Sequence, residues 1–159
     1  MPAPEFLFVS PEVWRTTASL LEPYAGARVE AGCYWYGVRS DTEAVAAMVG
    51  VPHQINRPRN FEVAANDLAQ LVRGVPDGLV AVAQVHTHPG LTTEHSHWDD
   101  GLIVSQKVFS LVLPDYGARA LLSDARVHEF ADGQWRPLPP GEAARRIQLM
   151  VPLLDTRRG

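Results

Sequence analysis

The run Leu79-Val80-Ala81-Val82-Ala83-Gln84-Val85 leads directly into His86-Thr87-His88-Pro89-Gly90. A short, apolar, β-branched run bounded by turn residues is the pattern of a buried strand, and no other stretch constrains the fold as much. Residues two apart on a strand project from the same face. The strand therefore delivers both imidazoles to one side of a sheet, and Pro89-Gly90 stops it. Ser96 follows His88 after seven intervening residues, and Asp99 after two more.

Ser96-His97-Trp98-Asp99, followed by Asp100-Gly101-Leu102-Ile103-Val104, reads as a helix start with Ser96 at the cap and acids in the first turn. Such a helix brings Asp99 back over the end of the histidine strand. Two neutral imidazoles and one carboxylate form a tripodal set suited to Zn²⁺, with bonds of about 2.0 to 2.2 Å and a fourth position left for water. A bound water needs a group to take its proton and return it to a leaving amine, and Glu30 at the mouth of an apolar, aromatic strand is the upstream candidate. Ser96 would donate a hydrogen bond to the developing oxyanion. Together these parts amount to metal-assisted acyl hydrolysis.

Plainer readings stand beside this one. Ser96 with Asp99 three residues on is also a capping-box-like helix start, which needs no catalysis; a cap and a ligand can coexist. His86 and His88 could each be core histidines, but two on one face leave several ring nitrogens to satisfy. His95 and His97 offer alternative ligand sets with His88, and are read as loop and solvent-facing residues, with substrate contact or support of the ligands as the alternative. Glu30 taken alone reads equally as a solvated surface group, and Glu22 and Glu43 lack a matching context. Cys33 reads as a small buried apolar residue, and His128-Glu129 as a structural pair inside a strand. A zinc deaminase would need His-x-Glu and Pro-Cys-x-x-Cys, which one cysteine cannot supply. No G-x-S-x-G elbow supports serine hydrolase chemistry.

An upstream Glu, then His-Thr-His-Pro, seven residues, Ser, two residues and Asp resembles the JAMM (MPN+) zinc metalloproteases, including their bacterial JAB-domain members. The flanks resemble the family too: Glu30 precedes a glycine-containing apolar strand ending at Gly37, and Val108-Phe109-Ser110-Leu111-Val112-Leu113-Pro114 supplies the apolar strand after the motif helix. The resemblance spans roughly residues 5 to 131, with the motif as its specific core. It implies zinc held by His86, His88 and Asp99, Glu30 as general acid/base and Ser96 as stabiliser of the tetrahedral intermediate. It also implies hydrolysis of the amide or isopeptide bond after the C-terminal glycine of a ubiquitin-like protein. The partners implied are that protein or its conjugates, with activating and conjugating enzymes alongside. Release of a small adduct from a sulfur carrier with a Gly-Gly tail, or a metal-free MPN-like scaffold, are the alternatives. The spacer Gly90-Leu91-Thr92-Thr93-Glu94-His95 lacks the Cys-Trp pair of many eukaryotic members, so the substrate is left open.

At 159 residues and 46% hydrophobic content the chain can bury one good core, which predicts a single domain over 1–159. A net charge of −4 argues against nucleic acid as principal partner. The single cysteine suits a reducing cytoplasm, and no leader or membrane-spanning stretch is read from the sequence.

The order of elements is predicted as follows. Glu5 to Ser10 is a strand, and Ser10-Pro11-Glu12 caps a helix carrying Val13, Trp14, Thr17, Leu20 and Leu21. Strands follow over Ala31 to Val38 and Glu43 to Val51. A loop at Pro58 to Asn60 leads to a second helix with Phe61, Val63, Ala64, Leu68, Leu71 and Val72 on its core face. After the histidine strand, the motif helix and the apolar strand come a turn at Asp115-Tyr116-Gly117, strands at Arg119 to Leu122 and Arg126 to Phe130, and Gln134-Trp135-Arg136 beyond a turn. A last helix spans Glu142 to about Leu149. These elements make an α/β sandwich. The resemblance implies the same JAB/MPN-like, cytidine-deaminase-like arrangement, a mixed β-sheet flanked by helices. The loops at Gln54 to Asn60 and Gly90 to His95 are the candidate substrate surfaces, where an extended tail could add as a strand.

Overall fold

The computed structural model describes residues 3–95, 107–150 and 156–157. Ser96, His97, Asp99 and the helix predicted to start at Ser96 lie outside the described residues.

Among the described residues eight strands form one mixed sheet in the order β10-β1-β3-β2-β6-β7-β8-β9. They are β1 (Phe6–Val9), β2 (Gly32–Arg39), β3 (Glu43–Gly50), β6 (Val80–Thr87), β7 (Phe109–Leu113), β8 (Arg126–Ala131), β9 (Gln134–Pro137) and β10 (Ile147–Leu149). A two-stranded hairpin of β4 (Ile55–Arg57) and β5 (Asn60–Glu62) stands apart. The helices among the described residues are α1 (Pro11–Ala27), α2 (Ala65–Gly74) and α3 (Pro140–Arg146). Among the described helices none is long and apolar enough to cross a membrane.

The predicted start of α1 holds: the Ser10 side chain accepts from Val13 N and Pro11 opens the first turn. Val13, Trp14, Thr17 and Leu21 are buried from this helix. Trp14 meets Trp35 of β2 edge-to-face at 6.4 Å, and Trp35 Nε1 donates to Thr17 Oγ1 at 2.8 Å. That bond satisfies the one polar atom of a fully buried indole.

β6 runs antiparallel to β2 on one side and parallel to β7 on the other. Both its edges are paired and both its faces are buried from Val82 to Thr87, which is why its sequence is largely apolar rather than alternating. In its pairing with β2, Cys33 and Trp35 face Val85 and Ala83 toward the α1 side, while Gly32 and Tyr34 face His86 and Gln84 toward the other. The register shifts opposite Trp35 to Gly37, where Ala47 is the extra residue in β3 and Val82 the extra residue in β6. A Cβ at Gly37 would sit 1.7 Å from the carbonyl oxygen of Val45, so the close approach of the β3 backbone beside its bulge requires glycine.

Three predicted elements differ from the structure. Phe61 lies on β5, not on the second helix, and Val63 and Ala64 precede α2. Phe61 is buried by the hairpin, whereas no residue of α2 is fully buried. The stretch predicted as a strand at Arg119 to Leu122 is irregular and ends in a 3₁₀ turn, Leu122–Asp124. Arg119 there is left-handed at φ 52°, and Asp124 Oδ2 accepts from Leu121 N, which together turn the chain. The last helix stops at Arg146, and Ile147–Leu149 pairs with β1 in parallel. Ile147 is buried there, so sheet pairing overrides a helical periodicity that a single segment could not stabilise alone.

Candidate functional site

The face of the sheet away from α1 carries the site. His86 and His88, two apart on β6 and its continuation, project together, with ring centroids 5.1 Å apart. Both are buried. The register Gly32↔His86, continued by Thr87 N donating to Ala31 O at 3.0 Å, sets Glu30 across from His88 on that same face. Glu30 is only 5% exposed, so it is not the solvated surface group that its sequence context alone allows. Its backbone is clamped: Glu30 N donates to Arg57 O at 2.8 Å, and Asn56 Nδ2 donates to Glu30 O at 2.9 Å.

The β4–β5 hairpin thus acts as a side wall. Gln54, which leads into it, brackets Gly32 by accepting from its N–H and donating to its carbonyl. Phe61 fills the space that a side chain at residue 32 would take, and its ring lies 6.2 Å from that of His86. The end of β6 is equally fixed. His88 N donates to Leu113 O, and His88 O accepts from Tyr116 N at 2.8 Å. The Tyr116 hydroxyl donates to Pro58 O at 2.9 Å, which joins this turn to the hairpin loop.

Each histidine presents Nδ1 to an oxygen acceptor, Gln84 Oε1 at 2.8 Å for His86 and Thr92 O at 3.1 Å for His88. An acceptor at Nδ1 puts the ring proton there and the lone pair on Nε2. Outer partners of this kind orient metal-ligating imidazoles, so the two rings fit a metal bound through Nε2. Among the described residues no three His, Cys, Asp or Glu side chains are grouped to hold an ion; the third ligand expected from the sequence, Asp99, lies outside them, as does Ser96.

Sequence reasoning missed a polar row beside His86. Gln84 pairs across the sheet with Ser110 of β7, and Ser110 with His128 of β8. All three are buried. Gln84 was legible in principle, being polar within an apolar run and on the same strand parity as His86. His95, expected to face solvent, instead turns inward. Its Nε2 lies 2.6 Å from Ser110 Oγ, its ring stacks on His128 at 4.1 Å, and Trp135 flanks it at 5.4 Å. Burial, then the neighbouring His95 and His86 and Arg126, pushes the His128 pKa down to about 3. His128 is a neutral wall of the site. Cys33, on the opposite face of β2, is buried with its thiol pushed up to about 12 by desolvation, which bars nucleophilic chemistry.

No family model matches the chain. A probable metalloprotease, y4jG of Sinorhizobium fredii, is 31% identical over an alignment covering 72% of this chain and 76% of that protein. Among solved structures, the solution structure of a protein from Desulfitobacterium hafniense superposes with a TM-score of 0.64 at 15% identity, covering 91% of this chain and 93% of that one. A JAB1/MPN domain protein from Archaeoglobus fulgidus gives a TM-score of 0.45 at 15% identity, covering 76% and 87%. The curated relative defines the class, a metal-dependent peptidase. The chain belongs to the JAMM/MPN (JAB-domain) family of metalloproteases.

Proposed function

We propose that this protein is a zinc-dependent peptidase or isopeptidase that cuts after the C-terminal glycine of a ubiquitin-like protein, in deconjugation or precursor processing. His86, His88 and Asp99 would hold the zinc. One observation carries the reading: a buried carboxylate, Glu30, stands across a strand pair from two histidines whose Nδ1 atoms are both turned to oxygen acceptors.

Zinc bound there supplies Lewis acidity and lowers the pKa of a water it binds. The rest is the work of the chain. Glu30, with its backbone anchored by Asn56 and Arg57, accepts a proton at its carboxylate and returns it to the leaving amine. The Ser96 hydroxyl donates to the oxyanion that develops on the scissile carbonyl. Phe61 and the hairpin on one side, and His95 with Trp135 on the other, wall the histidine rings and hold them in place. An extended Gly-Gly tail, without side chains, suits a channel between such walls, and strand addition along the hairpin or the loop at residues 90–95 supplies sequence-tolerant main-chain hydrogen bonds. Partners on this reading are a ubiquitin-like protein and its conjugates, with their activating and conjugating enzymes. A reducing cytoplasm is the setting, supported by a lone, buried Cys33.

The test uses zinc-loaded wild type and Glu30→Gln against fusions carrying a ubiquitin-like domain with a Gly-Gly terminus. Cleavage after the second glycine, reduced about 10² to 10⁴-fold in Glu30→Gln with zinc retained, supports the proposal. Equal rates for the two proteins would remove Glu30 from the mechanism.

A further inference from the structure

We infer that Gln84, Ser110 and His95 are positioning residues for His86: a buried hydrogen-bonded row that fixes which ring nitrogen of His86 is available to a metal. The inference rests on the proposal that His86 is a ligand, and extends it to three residues outside the motif's ligand and acid/base set.

The row runs across two strands and a loop. His95 Nε2 is 2.6 Å from Ser110 Oγ, Ser110 Oγ is 3.4 Å from Gln84 Oε1, and Gln84 Oε1 is 2.8 Å from His86 Nδ1. Counting protons gives the chain one direction. Gln84 Oε1 can only accept, so His86 must carry its proton on Nδ1. Ser110 has a single hydroxyl proton; in the arrangement that gives it to Gln84 Oε1, His95 donates from Nε2 to Ser110. Every step then has one donor and one acceptor, and the row terminates on the amide oxygen. With the amide turned the other way, Gln84 would donate to Nδ1, the His86 proton would move to Nε2, and that nitrogen could not ligate.

Burial makes the choice matter. Gln84, Ser110 and His86 are each no more than 1% exposed, so water cannot replace a lost acceptor and hydrogen bonds there are strengthened. Register alone aligns Gln84 with Ser110. The outer end is held by stacking, with His95 between His128 and Trp135. His86 is thereby gripped from two sides, by Phe61 against its ring and by this row at Nδ1.

The experiment is ¹⁵N-histidine NMR on metal-free protein, paired with zinc affinity measured by chelator competition. Wild type is expected to show His86 neutral with the proton on Nδ1. Gln84→Leu removes the acceptor at similar volume; the Nδ1–H signature should be lost and zinc affinity should fall about 10 to 100-fold. Gln84→Glu restores an acceptor and should recover both readouts. His95→Phe keeps the stack but removes the donor to Ser110, with a smaller effect in the same direction. Should Gln84→Leu not fold, Ser110→Ala and His95→Phe carry the test. Wild-type tautomer and wild-type affinity in the variants that fold, or a wild-type His86 protonated on Nε2, would overturn the inference. Failure of the underlying proposal looks different: His86→Ala would keep full zinc affinity whatever the tautomer in wild type.

Discussion

Gly32 and Phe61 form a size-matched pair beside His86, and replacing Gly32 by Ala sets two effects against each other. Alanine reduces the conformational freedom of the unfolded chain and, at an ordinary strand position, stabilises by about 0.4 to 1 kcal/mol. Its Cβ, however, would lie 2.4 Å from Phe61 Cζ and 2.7 Å from Cε2. The ring must retreat by about 1 Å to restore normal carbon contact, yet it is buried at 3% exposure on a three-residue strand. Overpacking of this kind costs about 1 to 3 kcal/mol, so the steric penalty wins and the net loss is about 1 to 2 kcal/mol. For a chain of this size that lowers the unfolding midpoint by roughly 2 to 8 °C, measurable by circular dichroism. Phe61→Leu alone removes ring contacts and destabilises on the order of 1 kcal/mol. In the double variant the new Cβ occupies space the ring tip has left, so the two losses should not add, with a favourable coupling of about 0.5 to 3 kcal/mol. A Gly32→Ala midpoint at or above wild type, or strict additivity, would refute the reasoning.

Three further outcomes follow from particular contacts. Arg146 is buried and donates to Glu129, to the carbonyls of Glu5 and Pro4, and lies over the Phe109 ring; Arg146→Met should cost about 3 kcal/mol by urea unfolding, with Arg146→Lys recovering only part because an ammonium cannot fork. Midpoints unchanged by Arg146→Met would contradict this. His128 has a folded pKa depressed to about 3, so the native state holds it neutral while the unfolded chain binds a proton below about 6.5. Its contribution is intact above that pH and is lost as pH falls from there toward 3, at up to about 1.4 kcal/mol per unit, and His128→Phe should flatten that limb of the stability profile. Native Cys33 should resist alkylation at pH 8 and react only on unfolding; rapid labelling of folded protein would contradict its buried, protonated state.

The sheet was largely legible because its strands announce themselves locally. Val80–Thr87 and Phe109–Leu113 are β-branched, largely apolar runs, and the helix at Pro11 carries its own cap. What sequence missed depends on distant pairing. Ile147–Leu149 becomes a strand only because β1 offers an edge, and Phe61 is held on a hairpin by contact with Gly32 and His86. The histidine pair and its facing were readable from strand periodicity. The polar row was not, since Gln84, Ser110 and His95 are 26 and 15 residues apart along the chain and meet only through sheet register and a returning loop. Glu30 required both the family pattern and the β2–β6 pairing to be seen as buried opposite His88.

The measurement that bears most directly on the central claim is metal content by elemental analysis of untagged protein, wild type beside His86→Ala. About one zinc per chain in wild type, lost in the variant, is the result expected of a site built on His86 and His88. No zinc in wild type even after it is supplied, or equal zinc in both proteins, would contradict the account.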